Sequence, residues 1–581
     1  MPLAAVALAA ALALAGPAAA QDLKRPASLT KPPPGHTLSA KRATLIAGRD
    51  GKVRQQRARH RALFPVAYQK GPRRWQVSWF GDGRERAQVL VDDRSGRVLE
   101  SWTGHQVAWR MARGYSGQFG HRLNAPYVWL PLCVLFVLPF VDPRRPLRLL
   151  HLDLLVLLAF GASHWFFNRG EIGVSVPLAY PVLAYLLVRM LVAGLRGRER
   201  PERPLPVLPV VWVALALVFL VGFRIALNAT DSRVIDVGYS GVIGADRIAH
   251  GDELYGERFA KDNEHGDTYG PVSYLVYVPF EAALPWSGRW DDLPAGHAAA
   301  VAFDLLTLLG LLVLGVRLRD GPEGWALGVA LAYGWAAYPY TTFVLQSNSN
   351  DALVAMLLVW AFVALRSPPA RGALLALAAA AKFAPAALIP LLAREPRPRA
   401  MRRSRLTGRA TSPRTIAAYA AAAAAVAAAT FLPFLPDGGP RELYDRTVGN
   451  QLGRDSPFSV WGQEPSLATL HTILKAAAVG LALALALVPR RRTPAQLAAL
   501  AAAVLIAVQL TVTHWFYLYV VWFLPLVLLA LLAPLRGAAG PAGSAGPVVG
   551  EAPAPRLELD PRGRDHLRDQ PVPAGAHDQL E

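Results

Sequence analysis

One cysteine occurs in 581 residues, Cys133, and it sits inside an apolar run. The chain therefore has no disulfide within itself and no cysteine-based zinc site. Other chemical signatures are missing as well. There is no Walker A lysine loop, no GxSxG elbow, no HExxH and no metal-spaced Cys or His cluster. An ATP-driven pump acting alone is excluded, and so is a soluble Rossmann-like nucleotide-sugar domain, because no long βαβ stretch exists. Acidic residues are few, 41 Asp and Glu against 61 Lys and Arg, for a formal net charge of +20. Such a balance would suit nucleic acid. The arginines argue otherwise, since they cluster between apolar runs, where positive charge retains loops in the cytoplasm. No nucleic-acid partner is expected.

What the chain does have is hydrophobic sequence: 53% of its residues, with a mean hydropathy of +0.27. That composition predicts a mainly α, polytopic membrane protein. Residues 1–20 read as a signal peptide, apolar and ending in Ala18-Ala19-Ala20; the charged leading segment is missing, which leaves an uncleaved anchor or a misplaced start codon as alternatives. Residues 21–120 read as a small extracytoplasmic α+β domain. Trp75, Val77 and Trp79 alternate, Gly81-Asp82-Gly83 turns the chain, Val89 and Val91 alternate again, and Asp93-Arg94-Ser95-Gly96 makes a second turn. This meander loosely resembles a PepSY-type module over about thirty residues.

Apolar runs near the ~20 residues needed to cross a bilayer follow from 126 onward. They fall at 126–141, 149–167, 174–194, 207–227, 297–318, 324–340, 351–366, 415–435, 467–488, 495–512 and 515–535, about eleven spans. Arg144, Arg145, Arg148, Arg196, Arg198, Arg200, Arg203, Arg317, Arg319 and Arg490 to Arg492 mark cytoplasmic loops, and 394–414 holds eight arginines against one glutamate. This sidedness puts 228–270, 341–350, 436–466 and the turn at His514 outside. Residues 372–393 break the parity. A re-entrant hairpin turning near Lys382 restores it, which requires a polar cavity; a full span with unusual topology is the alternative. Residues 271–286 read as interfacial, and the Gly-, Ala- and Pro-rich tail 536–581 as disordered and cytoplasmic.

The candidate chemistry lies on the outer face. The segment 228–270 carries nine acids against four bases. Asp236, nine residues past Leu227, could take a proton from an acceptor hydroxyl if partial burial raises its pKa; otherwise it is a solvated loop acid or a helix cap. Lys382 is one of only eight lysines and stands mid-hydrophobe. It suits a membrane-surface phosphate, unless its long stem merely snorkels to the interface. Gln346, Asn348, Asn350 and Asp351 offer groups suited to sugar hydroxyls. His514, Trp515, Tyr517 and Tyr519 open the last span, and Trp461, Gln463 and Glu464 share a loop with Arg446 and Arg454. These aromatics either stack on sugar or form an interfacial belt.

The acidic loop with Asp236, then GVIGADRIAHGDELY, TYGPVSYLVYVPF, LQSNSND and GALLALAAAAKFAPAALIPLL, resemble the type C glycosyltransferase superfold, closest to glycosyltransferase family 87. The resemblance covers about 207–535, leaving 121–206 as accessory helices. It implies an integral membrane enzyme of the cell membrane that moves a sugar (mannose or another hexose or pentose) with inversion from a polyprenyl-phosphate donor. The acceptor would be an extracytoplasmic cell-envelope glycan, lipid or protein. In that reading Asp236 is catalytic. Lys382, Arg224 and His514 serve the donor phosphate, and Tyr269, Gln346, Asn348, Asn350 and Trp515 serve the substrate. No cofactor is required and a divalent metal is optional, there being no DxD pair in the acidic loop. Relatives often carry Tyr-Pro-Pro where this chain has Tyr269-Gly270-Pro271. A transporter or flippase with Lys382 in its path is the alternative.

Overall fold

The structure is a computed structural model describing residues 23–535 apart from 61, 72, 118–121, 198, 256–265, 290–291, 395–411, 455 and 490–491. The expected signal peptide, the tail, Arg198, Arg490, Arg491, most of the arginine-rich loop and the centre of the acidic segment lie outside the described residues.

The N-terminal region forms a five-stranded antiparallel meander in chain order: β1 (Leu23–Lys24), β2 (Phe64–Lys70), β3 (Arg74–Gly81), β4 (Arg84–Asp92) and β5 (Val98–Thr103). Asp82 and Gly83 both take positive φ, 53° and 71°, as a two-residue hairpin turn requires. Alternation sends Trp75, Val77, Trp79, Val89 and Val91 to one face, where all are at most 2% exposed. Ala40, Ala43 and Ala47 of α1 (Ala40–Gly48) and Val53 of α2 (Gly51–Arg59) close this core. Burial of such side chains contributes roughly 1.5–3 kcal/mol each. Asp93 ties the lead-in down, accepting from the Thr37 and Leu38 amides (2.6 and 3.0 Å) and from the Trp75 indole (2.9 Å).

The rest is helical: α3 (Pro126–Val137), α4 (Leu149–Leu158), α5 (Phe160–Asn168), α6 (Ile172–Arg196), α7 (Val210–Asp231), α8 (Asp236–His250), α9 (Pro294–Leu318), α10 (Gly321–Ala337), α11 (Pro339–Ser347), α12 (Asp351–Val363), α13 (Pro368–Ala381), α14 (Pro413–Phe431), α15 (Ala468–Leu487), α16 (Pro494–Thr511) and α17 (Val520–Leu532). Among the described residues seven helical stretches are long and apolar enough to cross a membrane, and 126–140, 351–363 and 517–532 are shorter apolar helices. A polytopic α-helical membrane protein with a small sheet-bearing N-terminal region is the observed architecture.

Local chemistry sets the helix ends. Thr493 and Gln496 form a reciprocal capping box, with Pro494 at the first position of α16. Helices α16 and α17 are largely buried, whereas α7 exposes Val211, Trp212, Leu215, Val218 and Phe219 as a lipid-facing stripe. The accessory helices pack on this centre through polar links. Tyr517 Oη lies 2.7 Å from Ser163 Oγ and 2.9 Å from Ser175 Oγ, and Gln496 Nε2 donates to the Gly194 carbonyl at 3.1 Å.

Two expectations are refined. The acidic segment is not loop throughout, because 236–250 is helix α8. The apolar run 271–286 folds as two short helices, Val272–Leu275 and Val278–Ala283, packed on α8. Gly238, Gly241 and Gly244 lie three apart and so share a face of α8. A Cβ there would strike the Asn348 carbonyl, the Tyr277 ring and the Tyr274 ring respectively. Small residues on that face let α8 sit close beneath these groups.

Candidate functional site

Asp236 is the first residue of α8, where an acid suits the positive end of the helix dipole. The preceding extended residues are pinned: the Arg233 amide donates to the Gln346 carbonyl (3.1 Å) and the Ile235 amide to the Ser347 carbonyl (3.0 Å). The Asp236 carboxylate is exposed, not partly buried as expected, because α8 begins at the protein surface. Its Oδ1 accepts from the Val237 amide at 2.9 Å.

Lys382 ends α13 in an extended conformation, φ −133° and ψ 129°, followed by a tight turn over Ala384–Leu388. The helix therefore breaks where a turn was expected. Lys382 is 8% exposed, and its Nζ lies 4.0 Å from Asp351 Oδ1 and 4.4 Å from the centre of the Tyr269 ring. Asp351 also accepts from the Trp522 indole at 2.9 Å. Burial works against the ammonium most strongly, while the charges of Asp351 and then Asp236 favour it and Arg454 opposes it. Base candidate and cation candidate thus lie within electrostatic reach of each other.

Tyr269 is held by its backbone. Its carbonyl accepts from Tyr255 Oη (2.7 Å), and its amide donates to Tyr274 Oη (3.2 Å). Burial pushes its phenol well above the usual range, with Asp236 adding to the shift and Arg454 opposing it. The neighbouring residues dock on the 436–466 loop: Asp267 takes Arg446 at 3.0 Å, and Gln451 Nε2 donates to Thr268 at 3.2 Å.

His514 joins the same cluster. Burial, then the positive charges of Arg454 and Lys382, hold its imidazole well below the usual range. Its Nδ1 lies 2.8 Å from Ser456 Oγ, and its ring meets Trp109 at 5.7 Å and Phe458 at 5.5 Å. A neutral imidazole offers a hydrogen bond to an anion instead of a charge. Arg454, grouped from sequence only with other loop residues, proves central. Its guanidinium acts on Lys382, His514, Tyr269 and Tyr519, and rests over Trp109 at 5.2 Å.

Other expected residues lie elsewhere or face inward. Arg224 is fully buried and spent on structure: Asp304 accepts from it at 2.5 and 3.3 Å, Thr341 and Thr342 at 2.8 and 2.7 Å, and the Ala336 carbonyl at 3.1 Å. A guanidinium inside the bilayer needs such partners, and its Nε, Nη1 and Nη2 each engage at least one. Trp515 is 5% exposed, donates to Gln509 at 3.1 Å and stacks on Phe160, which makes it internal packing. Gln346, Asn348 and Asn350 are buried as well, because the break between α11 and α12 lies beneath α8. Asn348 takes φ 48° and bridges Asn228 (2.8 Å) and Ser232 (3.0 Å), a structural role. The side-chain amides of Gln346 and Asn350 have no hydrogen-bond partner among the described residues. Asn350 immediately precedes Asp351, the partner of Lys382.

Neither a curated protein nor a solved structure matches the chain. A family model does match, over a stretch that begins after Asp236, includes Tyr269, Lys382 and Arg454, and stops one residue before His514. Residues 268–513 match the model of glycosyltransferase family 87, so the resemblance carried by the sequence holds across that stretch and supports a membrane glycosyltransferase.

Proposed function

We propose that this protein transfers a hexose or pentose, mannose being the first candidate, from a polyprenyl-phosphate donor to an extracytoplasmic acceptor with inversion. The family match supports a lipid-linked donor in a membrane. The single observation carrying the finer reading is the shared cluster of Asp236, Tyr269 and Asp351 with Lys382, Arg454 and His514. A carboxylate and two cations within electrostatic reach of one another meet the needs of glycosyl transfer to a hydroxyl.

The acceptor oxygen attacks the anomeric carbon from the face opposite the phosphate. Its proton passes to the Asp236 carboxylate, and the bond from the anomeric carbon to the phosphate oxygen breaks. The electron pair leaves on that oxygen, and Lys382 and Arg454 stabilise the charge that grows there. His514, neutral and with Nδ1 engaged by Ser456, hydrogen-bonds the same anion. Inversion follows from a single displacement, which needs one base and one stabilised leaving group. Tyr269 covers the Lys382 ammonium and lines the sugar's approach. Gln346 and Asn350 present unspent amides behind it.

The test is label transfer in membranes supplied with radiolabelled polyprenyl-phosphate sugars, wild type against Asp236→Asn. Loss of about 10²–10⁴-fold in a normally folded variant is expected for removal of a general base. Transfer at the wild-type rate in that variant would defeat the assignment. Movement of lipid or sugar across the membrane that survives the change, without label transfer by wild type, would favour a carrier.

A further inference from the structure

The exported module reaches the outer cluster through one side chain. Beyond β5 the chain turns at Gly104 and covers the face of the sheet opposite the Trp75 core, where Gln76 and Ser78 are buried. From this segment Trp109 projects onto the membrane part. The Arg454 guanidinium lies over its ring at 5.2 Å, Phe458 meets it edge-on at 5.4 Å, and His514 approaches at 37° and 5.7 Å.

The segment is fastened on both sides of Trp109. Toward the sheet, Arg113 donates to Gln88 Oε1 at 2.8 Å and to the carbonyls of Gln106 and Val107 at 2.7 and 3.1 Å. Toward the accessory helices, Gln106 Nε2 donates to the Gly170 carbonyl at 3.0 Å, and Gly114, with φ 72°, fits against the Asn168 carbonyl. Arg454 makes no ion pair among the described residues. Its charge rests on an aromatic face, with no described carboxylate in ion-pair contact, which suits it to a bound anion.

We propose that Trp109 is a positioning residue, through which the exported module and accessory helices hold Arg454 in register with Lys382 and so set the affinity for the donor's phosphate. This rests on the reading that a lipid-linked phosphate sits at those two cations. It goes beyond the family stretch, since residues 23–267 lie outside the matched region.

The test uses the full-length protein in detergent, with farnesyl phosphate and farnesol as probes and a sugar-transfer assay beside them. Trp109→Ala should weaken farnesyl phosphate binding and raise the donor KM about tenfold, with kcat within about twofold, as expected for loss of one cation–π contact at a phosphate ligand. Trp109→Phe, which keeps a ring, should stay within about twofold of wild type, and Gln106→Ala should fall between the two. Farnesol binding should be unchanged in all three. Wild-type affinity for farnesyl phosphate in Trp109→Ala, or equal losses for phosphate and alcohol, would overturn the proposal. Should Trp109→Ala not fold, the same comparison is made with Gln106→Ala against Trp109→Phe. A wild type that binds no farnesyl phosphate and transfers no sugar would defeat the donor reading itself, a different result from variants that match an active wild type.

Discussion

Gly270 is the residue whose replacement tests the site geometry most directly. It stands between Tyr269, whose ring covers Lys382, and Pro271, and it lies against the last turn of α13. A Cβ at this position would collide with the Ala380 carbonyl, well inside the 3.0 Å that real Cβ atoms essentially never go below. Ala380 cannot yield easily, being one residue from the helix end that carries Lys382 and fixed beside Ser273 Oγ, which donates to the Ala381 carbonyl at 2.8 Å. The loop must move instead, by on the order of 1 Å, and Tyr269 moves with it. Gly270→Ala should therefore cost about 1–3 kcal/mol of stability through overpacking. Sugar transfer should fall by about 10²-fold, because the lost alignment lies at the reacting centre. The assay pairs thermal unfolding in detergent with label transfer per folded molecule. A variant within twofold of wild type in transfer, with an unchanged melting temperature, would refute the geometry around Lys382.

Three further outcomes are expected. Asp304→Asn leaves Arg224 buried without its counter-charge and should destabilise the membrane part by about 3–5 kcal/mol, seen as a lowered melting temperature, while donor KM of the folded fraction stays at the wild-type value. In the N-terminal sheet, burial would raise the Asp93 carboxyl, but hydrogen bonds from the Thr37 and Leu38 amides, the Trp75 indole and the Thr37 hydroxyl outweigh it and hold the group below its usual range. The stabilisation is therefore present above the unfolded-state value of about 4 and lost as pH falls through the lower folded value. Tryptophan fluorescence should report acid unfolding there, and Asp93→Asn should be weaker at pH 7 and less acid-sensitive. For sidedness, a Cys133→Ala background with Asp252→Cys should label with an impermeant thiol reagent from outside, and Ser404→Cys only after the membrane is opened; the reverse pattern would place the cluster on the wrong side.

Lys382 was legible in the sequence because a charge in an apolar run has no cheap explanation, and the structure gives it Asp351 and Tyr269. Arg224, assigned to the donor phosphate through the resemblance, also stands in an apolar run and proves to be a buried structural pair with Asp304. Sequence cannot separate these two cases, since the partner lies 80 residues away and the pairing is tertiary. The meander of the N-terminal region was legible from alternation and from the Asp82-Gly83 turn. Its role was not, because Trp109 looks like any half-buried aromatic until Arg454 is seen over its ring. Asn348 was read as a sugar ligand from residue type alone. Its left-handed backbone and its bonds to Asn228 and Ser232 show another use of the same amide.

That left-handed turn has the widest consequence for the site. The segment 346–351 carries the two carbonyls that pin Arg233 and Ile235, and so fixes where α8 and Asp236 begin. Three residues beyond Asn348 it supplies Asp351, which meets Lys382. One short buried stretch therefore sets the spacing of the proposed base and the proposed phosphate cation, although these lie on different helices far apart in sequence. A non-glycine residue at φ 48° is tolerated because asparagine accepts that region at little cost and its side chain is bonded on both sides. Asn348→Ala would keep the strain and lose both bonds. Asn348→Gly would lose the bonds and keep a relaxed backbone. If the turn governs the site, transfer should fall more in the alanine variant than in the glycine variant, and together with stability. Equal losses in both would trace the effect to the amide itself.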